Sequence, residues 1–460
     1  MRDLAFVAFL AALLGFGFKR PFLFVLAYVY VDIVSPQRLS YTLLTVVPIS
    51  LICVTLAVGG WALADRKAGS RFATRQWLLL MLLGWAAYTT INADLPLDAL
   101  DKWGWVWKAL AFAIFLPFTL RTRLRIEALL LFLVLSVSSI VVVGGIKTLG
   151  SGGGYGALNL MVSNNSGLYE GSIISTFAIA VIPLILFLAK HGTVFPGDWR
   201  VKAYATALIF ACLLIPVGTQ ARTGLICIAV LAVLTLRATK RRMLYLVLLG
   251  GAGALAVQFL PSSYSKRMET IQGYQADSSA STRLAVWQWT WDYVKANPAG
   301  GGFNAYMQNR ITIDIKKTAG DANNETVTNS KDYDAGRAYH SSYFEMLGEQ
   351  GFPGFFLWIL LHLLGLIRME AVRRRHRRAT GDDAWIAPLA TALQHAHIIY
   401  MVGSLFVGIA FQTTILMLIG CEIGLDTYLR RRGGAMARAV GTAPGAMPAA
   451  SGWRRAPIRR

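Results

Sequence analysis

The chain has 460 residues, of which 55% are hydrophobic and 15% charged, with 45 Lys and Arg against 24 Asp and Glu for a formal charge of +21. At a mean hydropathy of +0.50 it carries too little charge to clothe a soluble fold of this size, and its repeated apolar runs of about 17–25 residues exclude one. The basic excess sits in short loops beside those runs, so membrane topology accounts for it before nucleic acid does.

In chain order, segments 4–18 and 22–34 are short, and Lys19-Arg20-Pro21 separates them. Spanning runs follow at 43–64, 77–92, 104–120, 126–146, 169–190, 201–218, 222–237 and 243–260, then at 339–367, 384–407 and 410–428. The clusters Arg66 to Arg75, Arg121 to Arg125, Arg200 with Lys202, Arg237 to Arg242, Arg368 to Arg378 and Arg430 to Arg432 alternate onto one side, which the positive-inside rule makes cytoplasmic. With the N-terminus also inside, residues 4–34 are expected to cross once, as two half-length helices broken at Pro21. The fold class expected is an all-α polytopic integral membrane protein. It has about 12 transmembrane helices and one large periplasmic loop containing amphipathic helices. The division is 1–260 and 339–428 for the membrane helices, 261–338 for the periplasmic loop, and 429–460 for a basic cytoplasmic tail without fixed structure.

Cys53, Cys212, Cys227 and Cys421 lie in apolar runs without CxxC spacing and read as small core residues. No cleaved signal is expected; the first apolar segment stays in the membrane. Within the polar segment, 281–297 reads as a helix capped by Ser281 or Thr282. Leu284, Trp287, Trp291 and Val294 fall on one face, and Asn297-Pro298 stops it. Gly300, Gly301 and Gly302 read as a turn. Asp332 and Asp334 are spaced like a cation motif but read as solvated loop acids.

Three groups reach the outer boundary and owe nothing to the positive-inside rule: Arg222, Arg283 and His340. A guanidinium matches phosphate oxygens two at a time and stays charged. A neutral imidazole takes a proton from a hydroxyl. Together they suit displacement of a diphosphate by an alcohol, the arginines stabilising charge that grows on the leaving group. No acidic pair for a divalent metal stands out in the outer loops, so the expectation is metal-independent transfer without a cofactor.

The run His340-Ser-Ser-Tyr-Phe-Glu-Met-Leu-Gly-Glu-Gln-Gly-Phe-Pro-Gly-Phe resembles a signature of the O-antigen ligase and polymerase superfamily. Thr219-Gln-Ala-Arg222-Thr-Gly resembles that family's helix start. Arg283-Leu-Ala-Val-Trp287 with Asn297-Pro298-Ala-Gly-Gly-Gly-Phe-Asn resembles its Arg–Trp–Pro–Gly block. The likeness spans roughly 150–428, and the opening Met1-Arg-Asp-Leu with Arg20-Pro-Phe resembles the exosortase-associated O-glycosylation ligase branch. Ala221 and Asn297 depart from the pattern at positions expected to pack or cap. The resemblance implies inverting transfer of a glycan from undecaprenyl diphosphate at the periplasmic face of a bacterial inner membrane. It implies Arg222 and Arg283 on the diphosphate and His340 as general base. Arg337, Tyr339 and Trp287 complete the substrate-binding set. The acceptor favoured is lipid A–core oligosaccharide, since no large soluble domain follows residue 428; a polymerase and a protein O-glycan ligase share the donor chemistry. Membrane lipids are the other partners, nucleic acid is not one, and the chain is expected to be a monomer. A transporter is the reading from another class, resting on His395, His397 and Gln394, for which interhelical hydrogen bonding is the preferred account.

Overall fold

The computed structural model describes residues 2–65, 67, 69–151, 168, 170–238, 278–319 and 326–441. The expected run 243–260, nearly all of the glycine-rich loop, the polar segment before 278 and the tail beyond 441 lie outside the described residues. The remaining runs are helices with shifted ends: α1 (Arg2–Lys19), α2 (Phe22–Val34), α3 (Pro36–Leu39), α4 (Ile49–Ala64), α5 (Thr74–Ile91), α6 (Pro96–Thr119) and α7 (Arg123–Ser151). They continue as α8 (Gly171–Ala180), α9 (Ile182–His191), α10 (Trp199–Gly218) and α11 (Arg222–Ala238). After these come α12 (Ser278–Ala296), α13 (Ser342–His376), α14 (Ile386–Gly403) and α15 (Thr413–Gly441). Among the described residues four stretches are long and apolar enough to cross a membrane: Arg123–Gly150, Gly171–His191, Trp199–Gly218 and Ser342–His376. The four cysteines are free and buried, as small core residues.

The basic loops gather at one end of the bundle. Arg125 grips Asp65 at 2.6 Å, Arg121 reaches Ser70 at 2.9 Å, and Arg123 donates to the His191 carbonyl at 2.7 Å. Arg368 pairs with Asp426 at 2.6 Å and Arg431 donates to the Leu120 carbonyl at 2.7 Å. At the opposite end, backbone groups and neutral side chains supply several of the ties. Asp94 N donates to Gly301 O at 3.0 Å, Trp85 Nε1 to Gln350 O at 2.8 Å, and Ser342 N to Ser404 O at 2.8 Å.

The N-terminal expectation is corrected. Residues 4–34 do not form one broken crossing, because α1 and α2 fold back on each other: the rings of Phe9 and Tyr30 lie 4.8 Å apart, and Gly17 packs on Phe24. Collinear helices would hold residues 9 and 30 roughly 30 Å apart at 1.5 Å per residue. Pro21 reverses the chain where a kink was expected. The Asp3 carboxylate takes the backbone N–H groups of Tyr41 and Thr42 at 3.0 Å, so both hairpin ends share one end of the bundle. Pro21 abuts Gly60 near the close of α4, which leads into the basic loop. The start of the chain therefore lies opposite the basic loops.

Two details of the polar segment also differ from expectation. The all-α reading omitted a hairpin, β1 (Arg310–Ala319) and β2 (Thr326–Ala335), antiparallel with Ile311 opposite Asp334 and Asp314 opposite Lys331. Isoleucine at 311, 313 and 315 has the period of a strand. Asp332 and Asp334 are strand residues, not loop acids. Helix α12 starts at Ser278, ahead of Ser281 and Thr282. Its inward stripe is Val286, Thr290 and Val294, whereas Leu284 and Trp291 are 59% and 45% exposed. The narrow stripe suits close approach of α13 and β1, which leaves the bulky side chains facing out.

Candidate active site

The site is assembled from four chain turns at the end opposite the basic loops. The first is the α10–α11 turn. Pro216 lies in the last turn of α10, Thr219 N closes the helix on Ile215 O at 2.9 Å, Gln220 adopts a positive φ of 53°, and Ala221 N returns to Pro216 O at 3.1 Å. Arg222 opens α11 directly after it, half-buried. Thr219 bonds Ser175 of α8 at 2.8 Å between hydroxyls. A β-carbon on Gly171 would meet the Thr219 side chain at 3.2 Å, so Glu170, which caps α8 by accepting from Ile173 N at 2.7 Å, adjoins this turn.

The second turn follows α12. Gly300 and Gly302 hold φ of +82° and +79°, which only glycine adopts without strain. Their peptides lie on the broken start of α13: Gly301 N donates to Gly348 O and Gly302 N to Glu349 O, both at 2.9 Å, and Phe352 N to Pro298 O at 3.0 Å. The glycine run is thus a turn, and it docks α12 on α13 backbone to backbone. At that contact α13 itself is kinked, with Gly351 at φ 62° beside Pro353.

The third turn, 336–341, carries the histidine. His340 holds φ +47°, an uncommon conformation for a non-glycine residue. Its neighbours impose it. Trp287 Nε1 donates to the Tyr339 carbonyl at 2.8 Å while its ring stacks on Phe344 at 4.9 Å. Asn309 clasps Arg337 from both sides, accepting from its N–H at 3.0 Å and donating to its carbonyl at 2.7 Å. Beyond His340, Ser342 is fastened to the fourth turn, 404–412: its Oγ donates to Val407 O at 2.9 Å and accepts from Ile409 N at 2.8 Å.

Electrostatics place further groups around the imidazole. The enclosure of His340 by neighbouring atoms, with the charges of Arg283 and Arg337, lowers its pKa below the ordinary imidazole value, and Glu170 opposes this. Solvent still reaches the ring. The balance favours the neutral form near pH 7, with a lone pair free to accept a proton.

Of the residues expected from sequence, His340, Arg283 and Arg337 come together, and Trp287 holds the segment that presents the imidazole. Arg222 reaches the same end through two packed contacts. The start of α8 adjoins its turn, and Cys227 of α11 lies against Gly403, one residue before the Ser404 carbonyl that takes Ser342 N. Tyr339 is corrected: it is 3% exposed, packs on Gly348 and stands edge-on to Tyr306 at 5.6 Å. It supports the site from within and does not line it. Arg337 is ion-paired to Asp334.

Sequence reasoning missed a buried cluster beneath these turns. Lys102 Nζ lies 2.7 Å from Glu345 Oε1 and 2.7 Å from Glu349 Oε2. Glu349 also accepts from Asn304 N, and Glu345 from Ala410 N, both at 3.0 Å. One ammonium thereby joins α6, α13, the glycine turn and the 404–412 turn. The signal was present: two carboxylates spaced i, i+4 where a run turns apolar. Their partner is 243 residues away, beyond any local pattern.

A second buried chain runs through the bundle. His362 Nδ1 meets His397 Nε2 at 2.6 Å, His397 Nδ1 meets Glu422 at 2.8 Å, and Glu422 meets Arg75 at 2.8 Å. A carboxylate accepts only, so His397 donates from Nδ1 to Glu422. Gln394 donates to the Leu366 carbonyl at 3.2 Å. His397 and Gln394 are thus spent on interhelical hydrogen bonds.

Comparison with known families bears on these turns. Residues 206–359, which contain Arg222, Arg283 and His340, match the family described as O-antigen ligase. That match, over a third of the chain, supports membership of the O-antigen ligase family. Residues 1–193 match a family of unknown function. No curated protein matches the chain. The match at 206–359 supports a ligase- or polymerase-type activity, and the apolar helices of spanning length imply a membrane protein.

Proposed function

We propose that the chain transfers a glycan from undecaprenyl diphosphate to lipid A–core oligosaccharide at the periplasmic face of a bacterial inner membrane, with the basic loops in the cytoplasm. The observation that carries the reading is His340, held at positive φ beside Arg283 and Arg337 at the end away from the basic loops.

The chemistry follows from these groups. The His340 imidazole accepts the proton of an acceptor hydroxyl. The hydroxyl oxygen bonds to the anomeric carbon while the bond to the diphosphate oxygen breaks, and that electron pair stays on the phosphate. Attack from the face opposite the diphosphate inverts the anomeric centre. Arg222 and Arg283 hold the diphosphate through charge-assisted hydrogen bonds that strengthen as charge grows on the leaving oxygen. The proton then passes from His340 to water. No step calls on a metal or cofactor.

Expression in a ligase-null strain tests this. Restored attachment of the glycan ladder to lipopolysaccharide is expected. A change in ladder length without attachment marks a polymerase. Glycan appearing on protein in place of lipopolysaccharide marks a protein O-glycan ligase. Net movement of unattached lipid-linked glycan with neither outcome marks a transporter.

A further inference from the structure

At the end of the bundle away from His340, α7, α9 and α10 enclose a slot of about 370 Å³. Leu131, Val134 and Leu135 of α7, Ile185 and Leu188 of α9 and Leu208 of α10 form its apolar walls. All three walls belong to helical stretches long and apolar enough to cross a membrane. Toward the α9–α10 loop, Phe195, Arg200 and Tyr204 border the slot. This is the basic end, since Arg123 grips the His191 carbonyl there.

The charges at this mouth are unbalanced. Arg200 is exposed, with its guanidinium 5.8 Å from the ring of Trp199; Lys202, two residues on, and Lys190, at the end of α9, are exposed as well. The two nearby carboxylates are committed elsewhere. Asp198 caps α10 by accepting from Val201 N at 3.0 Å, and Glu127 is buried against Arg123 at 2.6 Å and Thr193 N at 2.7 Å. Trp199 is 72% exposed, and Phe195 and Tyr204 are exposed too, as aromatic residues are at a membrane–water boundary. An apolar slot between spanning helices accepts a hydrocarbon chain. Cations at its mouth select phosphate over a neutral headgroup.

We propose that this slot binds one anionic glycerophospholipid, with an acyl chain between α7, α9 and α10 and the headgroup phosphate on Arg200, supported by Lys190 and Lys202. The site is separate from the glycan-transfer site and stands whether or not that activity is as proposed.

Purified full-length protein, offered phosphatidylglycerol or phosphatidylcholine of matched chains, is read by native mass spectrometry of retained lipid. One phosphatidylglycerol per chain is expected to survive activation that strips phosphatidylcholine. Arg200→Gln, on an exposed side chain, should cut that preference about fivefold, the worth of one cation at an anionic headgroup. Ala205→Phe, filling the slot, should abolish retention of both lipids; if that variant fails to fold, the Arg200→Gln arm decides alone. Equal retention of the two lipids by the unaltered chain, or an undiminished preference in Arg200→Gln, overturns the proposal.

Discussion

Lys102→Met offers a sharp test of how the site is held. The substitution keeps an unbranched apolar stem and removes the one ammonium shared by Glu345 and Glu349. At contacts of 2.7 Å, each ion pair is worth about 6 kcal/mol at an effective dielectric near 20. Burying three charged groups offsets much of that gain. The Lys102 and Glu345 side chains are only 12% and 9% exposed, and Glu349 is fully enclosed, so solvent screening gives little relief. Removing the cation strands two carboxylates, and loss of one partner from a buried pair costs about 3–5 kcal/mol. In detergent micelles this should lower the unfolding midpoint by roughly 5 °C, since the shift per kcal/mol falls with chain length. Adding Glu345→Gln and Glu349→Gln to Lys102→Met should recover more than half of the loss, because amides need no counter-charge. The reasoning fails if Lys102→Met unfolds within about 1 °C of the parent, or if the triple variant is less stable than the single one.

Further outcomes are expected at the site itself. His340→Asn should abolish glycan transfer and leave the unfolding midpoint within about 1 °C, because asparagine tolerates the left-handed backbone; a large fall in midpoint would make the residue structural. Arg222→Lys and Arg283→Lys should each lower kcat/KM about 10–100-fold, the worth of a lost charge-assisted hydrogen bond, with normal membrane insertion. His340 has a lowered pKa, so its base form persists below the ordinary imidazole range. Transfer should therefore be flat at neutral pH and fall as pH drops through that lowered value; a rise in kcat/KM on acidification would remove His340 as the base. Purified protein with lipid-linked donor should keep its rate in EDTA; loss of activity that magnesium restores would replace the metal-independent scheme.

Much of the membrane-embedded architecture was readable because a span declares itself through length and hydropathy, which need no knowledge of neighbours. The two-ended arrangement was readable for a similar reason: arginines 121, 125, 368 and 431 lie in separate loops, yet each obeys the same charge rule. Arg283 and His340 stood out as the reverse of that rule, ionisable groups where topology alone asks for none. The β1–β2 hairpin was hidden by its polar composition, with Asp332 and Asp334 read as solvated loop acids. Tyr339 was misjudged because adjacency to His340 does not decide which way a side chain points. Tyr339 goes inward to Gly348, while His340, at its positive φ, faces solvent.

The harder failures share a cause, which the N-terminal hairpin makes plain. A proline between two short apolar helices is compatible with a kinked single crossing or with a reversal, and local propensity scores both alike. The choice is made by contacts that exist only after packing: Phe9 on Tyr30, Phe24 in the space left by Gly17, and Asp3 on the backbone of Tyr41 and Thr42. The Asp3 carboxylate needs those N–H donors as much as they need it, since an acid at the edge of an apolar helix is costly without partners. The same holds for Lys102, whose carboxylates lie in a helix far along the chain. Ionisable residues embedded in apolar sequence are therefore where sequence reasoning should have demanded a partner. At Asp3, Arg75, Lys102 and Glu422 the structure supplies one, and each partner ties together elements whose proximity composition alone does not reveal.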